Sequence, residues 1–167
     1  MRRVVVALLV PLFLVLASGA AAAARPAEDV RFLLAGRLED PAITFVATGA
    51  ITGTGSLTAE SVQYRPEDNS YHEVDRARLG GGSLTLAVDG SFSVWPFTLD
   101  PRTCTQEGTL AGTWTVTAAD GELAGLTGDG TFRGRFLTYA GRGPAGCDVN
   151  ALKGFVAGSM TGTVEAY

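Results

Sequence analysis

Apolar and polar residues alternate along much of the chain. Over 110–116, Leu110, Gly112, Trp114 and Val116 share one parity while Ala111, Thr113 and Thr115 share the other; over 130–136, Gly130, Phe132, Gly134 and Phe136 alternate with Thr131, Arg133 and Arg135. A period of two marks a half-buried β-strand. The stretch 119–128 between them is rich in Asp and Gly, which reverse a chain readily, so the two segments read as neighbouring antiparallel strands. Alternation and β-forming composition also predict strands at 30–38, 43–47, 50–57, 61–64 and 153–167. Asp89-Gly90 is the dipeptide favoured in two-residue hairpin turns, and it predicts a hairpin of 83–88 with 91–97. The segment 65–78, RPEDNSYHEVDRAR, is the most polar of the chain after residue 24 and reads as an exposed loop. No stretch carries a sustained helical period with caps. The elements predict one all-β domain, an antiparallel barrel of about eight strands, with a β-sandwich as the alternative.

A second pattern runs through these segments. The triplet G-x-Φ-x-G, with Φ a large apolar residue, occurs at Gly49-Ile51-Gly53, Gly108-Leu110-Gly112, Gly130-Phe132-Gly134 and Gly158-Met160-Gly162. In a strand its three defining residues share one face. Glycine weakens strands, so the recurrence wants a steric reason: strong coiling of strands that close a barrel, or room for large side chains of neighbouring strands.

The beginning of the chain changes the picture of where the domain works. Met1-Arg2-Arg3, the apolar run 4–16 and the small residues 20–24 have the order of a secretory signal peptide. The apolar run is shorter than the ~20 residues of a membrane span. The expected products are a leader, 1–24, and a single secreted, extracellular domain, 25–167, with no stable membrane insertion after cleavage. The chain has a net charge of −4, and removal of Arg2 and Arg3 makes the remainder more acidic, which argues against nucleic acid as a partner. Cys104 and Cys147 are its two cysteines, and in an exported chain they are expected to form a disulfide enclosing the central strand pair.

Reactive chemistry is sparse. No G-x-S-x-G elbow is present, and the lone histidine, His72, lies far from most serines. Asp68, Glu73 and Asp75 are weak calcium candidates, because oxygen ligands suit that ion but their spacing departs from the EF-hand. A glycosidase-type acid pair is left open, since the separation that matters there is spatial. Trp95, Trp114, Phe132 and Phe136 either line a barrel interior open to an apolar ligand or fill a closed core. No cofactor is expected.

The stretch 114–132, WTVTAADGELAGLTGDGTF, resembles a motif of secreted proteins from high-GC Gram-positive bacteria, in which a strand is followed by Gly-Thr-Gly, an aromatic, Ala-Gly and Gly-x-Gly-Thr. That motif is in turn distantly similar to part of the allene oxide cyclase and dirigent-type barrels. Ala119-Asp120-Gly121 stands at the Gly-Thr-Gly position and Leu123 at the aromatic one. The resemblance implies a barrel and transfers no catalytic residue. The expectation is a secreted, non-catalytic β-barrel that binds a small apolar ligand or a surface partner, with an isomerase or cyclase of the allene oxide cyclase-like class as the alternative. An open interior holding an inward carboxylate or Tyr would favour the enzyme.

Overall fold

The alternating segments pair edge to edge until the sheet closes on itself. The structure, a computed structural model, describes residues 26–94, 98–144 and 146–166; the leader expected at 1–24 and the candidate Trp95 lie outside them. Its strands are β1 (Glu28–Arg37), β2 (Ile43–Gly49), β3 (Gly53–Arg65), β4 (Ser70–Leu79), β5 (Gly82–Phe92), β6 (Thr105–Gly121), β7 (Leu126–Tyr139), the short β8 (Arg142–Gly143) and β9 (Gly146–Cys147), and β10 (Lys153–Ala166). Eight of them form a closed antiparallel barrel in the order β1-β10-β7-β6-β5-β4-β3-β2, with β2 pairing back onto β1. Closure leaves no sandwich of two separate sheets. β8 and β9 form a small separate ladder at one end of the barrel.

Two bulges keep the pattern in phase. Between Ala59 and Ser61 the β3–β4 register shifts, so Glu60 is the extra residue and the inward positions change from Leu57 and Ala59 to Val62 and Tyr64. The extra residue bends the strand and lets both parities of β3 serve one interior. A matching shift on the β5–β6 ladder leaves Thr117 as the extra residue, and its hydroxyl donates to the Thr85 carbonyl at 3.2 Å.

Three sequence expectations are corrected. Asp89-Gly90 lies inside β5 and makes no hairpin; the reversal is at Gly80-Gly81, where Gly80 has φ 55°. Gly90 serves a close approach instead, since a Cβ there would stand 2.6 Å from the Tyr71 hydroxyl oxygen. The segment 65–78 is not a loop but the end of β3, a turn at 66–69 and most of β4. The strand expected at 50–57 begins at Gly53 and runs to Arg65, taking in the one expected at 61–64, and the last strand is continuous through Gly158.

Three of the four glycine triplets lie in strands β6, β7 and β10, while Gly49-Ile51-Gly53 spans the β2–β3 turn. Room for aromatic rings explains several of these glycines. Phe136 lies over Gly108, and a Cβ at Gly112 would stand 2.7 Å from Phe132 Cε1; one at Gly162 would stand 2.6 Å from Trp114 Cζ2. The indole is 1 % exposed and donates from Nε1 to the Thr131 carbonyl at 3.3 Å, so it has little freedom to yield. Gly162→Val should therefore cost about 3 kcal/mol of unfolding free energy in urea denaturation. A loss under about 1 kcal/mol would mean that the ring turns aside without strain.

Candidate functional site

The barrel is filled at one end and hollow at the other. At the end holding the β4–β5 and β6–β7 turns, Leu84, Leu86 and Trp114 are the largest fully buried side chains, and Phe32 meets Trp114 edge-on at 6.1 Å between centroids. The opposite end carries the β1–β2 loop, the 93–104 connection and the loop 140–152. The wall is low there on one side, because the β2–β3 ladder stops at Ile43↔Leu57 while β3 continues to Arg65 beside β4 alone. Leu38, Val62 and Tyr64 flank this gap and are substantially exposed.

Behind the gap lies a cavity of about 470 Å³. Its walls are mainly apolar, with Leu57, Val88, Phe92, Phe132, Phe136 and Met160 among the lining residues. Tyr71, Glu73 and Asp75 supply polar groups from alternate, inward positions of β4. The Tyr71 ring packs on Phe92 at 4.7 Å between centroids and approaches Phe132 at 6.4 Å. Tyr71 is 5 % exposed, and its hydroxyl has no hydrogen-bond partner among the described residues.

Glu73 and Asp75 face the same cavity two residues apart. Burial pushes the Asp75 carboxyl up to about 8, helped by the charge of Glu73, the hydrogen bond between the two and the charge of Glu60. Burial also raises Glu73, against the hydrogen bond from Asp75, which lowers it. The directions agree on one arrangement: protonated Asp75 donates to the Glu73 carboxylate. Burial, then the charges of Glu73 and Asp75, raises the Tyr71 phenol strongly, so it stays neutral. Arg37 and Arg133 also line the cavity, but among the described residues no basic side chain is paired with Glu73 or Asp75. Arg76, next along β4, turns to the other face, where its Nε donates to Glu60 Oε1 at 2.5 Å.

Of the aromatic candidates, Phe132 and Phe136 do line the cavity. Trp114 belongs to the filled half instead, and Trp95 lies outside the described residues. Cys104 and Cys147 are bonded, with Cα atoms 5.3 Å apart. The calcium grouping is not assembled: Asp68 Oδ1 accepts from the Ser70 amide at 3.0 Å in the turn, whereas Glu73 and Asp75 point inward. Among the described residues no group of three or more His, Cys, Asp or Glu side chains is placed to hold a metal ion. His72 meets Asp89 across the β4–β5 ladder at 3.0 Å, and Arg133 and Arg135 are exposed. The acid pair was hidden from sequence reasoning because it lies in the segment read as a loop. The i, i+2 spacing of Tyr71, Glu73 and Asp75, continued by Ala77 and Leu79, was the signal available. No family model, no curated protein and no solved structure matches this chain.

Proposed function

We propose that the protein is an exported barrel that holds one small, mainly apolar ligand in its open half. The observation that carries this reading is the aromatic-lined cavity, reached through the gap beside β3 and large enough for a ligand. Export rests on the leader-like residues 1–24 and on a cysteine pairing suited to an oxidising compartment. A neutral, environment-sensitive dye such as N-phenyl-1-naphthylamine should brighten on binding at a single saturable site. Ala59→Phe, which places a ring into the cavity beside Asp75 without altering a polar group, should weaken binding by about tenfold or more. Unsaturable binding, or binding indifferent to Ala59→Phe, would overturn the reading.

The carboxyl pair favours a second reading, an isomerase or cyclase acting by proton transfer. A carboxyl that keeps its proton beside one that accepts a hydrogen bond offers both an acid and a base to a bound substrate. The two readings differ in what leaves the barrel: an unaltered ligand for a binding protein, a rearranged one for an isomerase.

A further inference from the structure

We infer that the ligand this cavity is built to select is an organic cation, an amine with an apolar body whose ammonium group sits between Glu73, Asp75 and Tyr71. The inference rests on the barrel interior being the binding site and goes further by naming the ligand's charge. Three independent features converge. Two acids share a mainly apolar cavity, and although Arg37 and Arg133 also line it, Arg37 is engaged by Glu39 and Phe155, Arg133 is exposed, and no described basic side chain is paired with Glu73 or Asp75. The hydroxyl of Tyr71, a residue only 5 % exposed, has no hydrogen-bond partner among the described residues, lines the same space and can accept an N–H. The rings of Tyr71, Phe92, Phe132 and Phe136 surround it, and aromatic faces attract an ammonium group that has left water.

Charge balance decides between ligand classes. In the empty cavity the acids are held partly protonated, because burial resists the charge of the pair. An ammonium ion supplies the missing countercharge, so Asp75 gives up its proton to solvent as the amine binds, and the ammonium donates to both carboxylates. A carboxylate ligand would add a like charge beside the Glu73 carboxylate and leave Asp75 holding its proton. An alcohol would enter without moving a proton. The other ionisable groups around the pair do not change this order. From β3, Glu60 is acidic and already paired with Arg76, and Tyr64 is a phenol, neutral at this pH, that partial burial and the charge of Glu73 raise further. From β5, Asp89 is bonded to His72 outside the barrel. At the rim, Arg37 contacts Glu39 and stacks over Phe155, while Arg133 is exposed on β7.

The test uses octylamine, octanol and octanoate as probes of equal chain length against the mature protein at neutral pH, by titration calorimetry. Octylamine should bind about tenfold or more tightly than octanol, and octanoate more weakly than octanol. Amine binding measured in two buffers of different ionisation enthalpy should release a sizeable fraction of a proton, whereas octanol should release none. Affinity for octylamine should rise between about pH 6 and pH 9, as Asp75 loses its proton beforehand while the amine keeps its own. Asp75→Asn, close in shape, should lower the ratio of amine to alcohol affinity by about tenfold. If octanol binds as tightly as octylamine, or amine binding moves no proton, or Asp75→Asn keeps the amine preference, the cation assignment is overturned while the cavity remains a binding site. If no probe binds, both readings fall together.

Discussion

Loss of the Cys104–Cys147 bridge in a C104S/C147S variant should lower the unfolding free energy by about 4 kcal/mol. The bridge closes a loop of 43 residues that contains all of β6 and β7, and in the chain-entropy account such a loop restrains the unfolded chain substantially. Backbone strain on the folded side offsets part of the effect. Cys104 is 2 % exposed and has φ 55°, a left-handed conformation that costs a residue with a Cβ about 1 kcal/mol. It is held there by its own amide, which donates to the Asp100 carbonyl at 2.7 Å, and by its carbonyl, which accepts from the Ala140 amide at 2.9 Å. Arg142 donates to the carbonyls of Pro101 and Arg102, tying the second loop to the first. These loops sit at the hollow end of the barrel, so the variant should bind the neutral dye more weakly as well. Urea denaturation should show a lower midpoint together with a steeper dependence on denaturant, because the unfolded chain opens further without the cross-link. A loss under about 1 kcal/mol would show that the hydrogen bonds hold both loops unaided.

The parts of the fold that were legible in the sequence are those where each strand buries apolar side chains on one face. β1, β2, β6, β7 and β10 read correctly because Val30 and Phe32, Phe45 and Ala47, Trp114 and Val116, Phe132 and Phe136, and Met160 and Val164 are all buried at alternate positions. Barrel closure was legible less directly, through glycines whose missing side chains make room for Trp114, Phe132 and Phe136. The misreadings fall together, on β4 and its two partners β3 and β5. β4 turns Tyr71, Glu73 and Asp75 inward, so its buried face is nearly as polar as its outer face of His72, Arg76 and Arg78, and a test based on polarity sees no strand. With β4 lost, Asp89-Gly90 looked like a turn. In fact Gly90 is the bare surface on which the Tyr71 ring lies. The local rule fails where the barrel carries its polar groups, which is where a functional site is expected to break the pattern.

Asp75→Asn should stabilise the barrel at neutral pH by about 2 to 4 kcal/mol and flatten its pH dependence. In the unfolded chain Asp75 ionises near its ordinary value of 3.8, whereas in the barrel burial, seconded by Glu73 and Glu60, keeps it protonated up to about 8. Below about pH 4 both states hold the proton, and the group's contribution to stability is complete. Between about pH 4 and pH 8 the unfolded chain sheds the proton and the folded one keeps it, so stability declines as pH rises, by up to about 1.4 kcal/mol per pH unit. Water entering the cavity and the sharing of the proton with Glu73 reduce the total below that limit. Asparagine cannot ionise in either state, which removes the decline. Subtracting the variant's urea-derived free energies from those of the parent at several pH values isolates this group from others, such as Glu39, whose backbone hydrogen bond from Gly154 lowers its carboxyl and gives the opposite slope in acid. If Asp75→Asn is instead the less stable protein at neutral pH, Asp75 is ionised and compensated inside the fold, and an acid that needs no ligand to neutralise it offers an incoming cation nothing. If the variant gains stability while losing its preference for amines, the parent protein holds an unfavourable acid in its interior in exchange for selecting a charged ligand, the compromise expected when a binding site and a stable core share the same side chain.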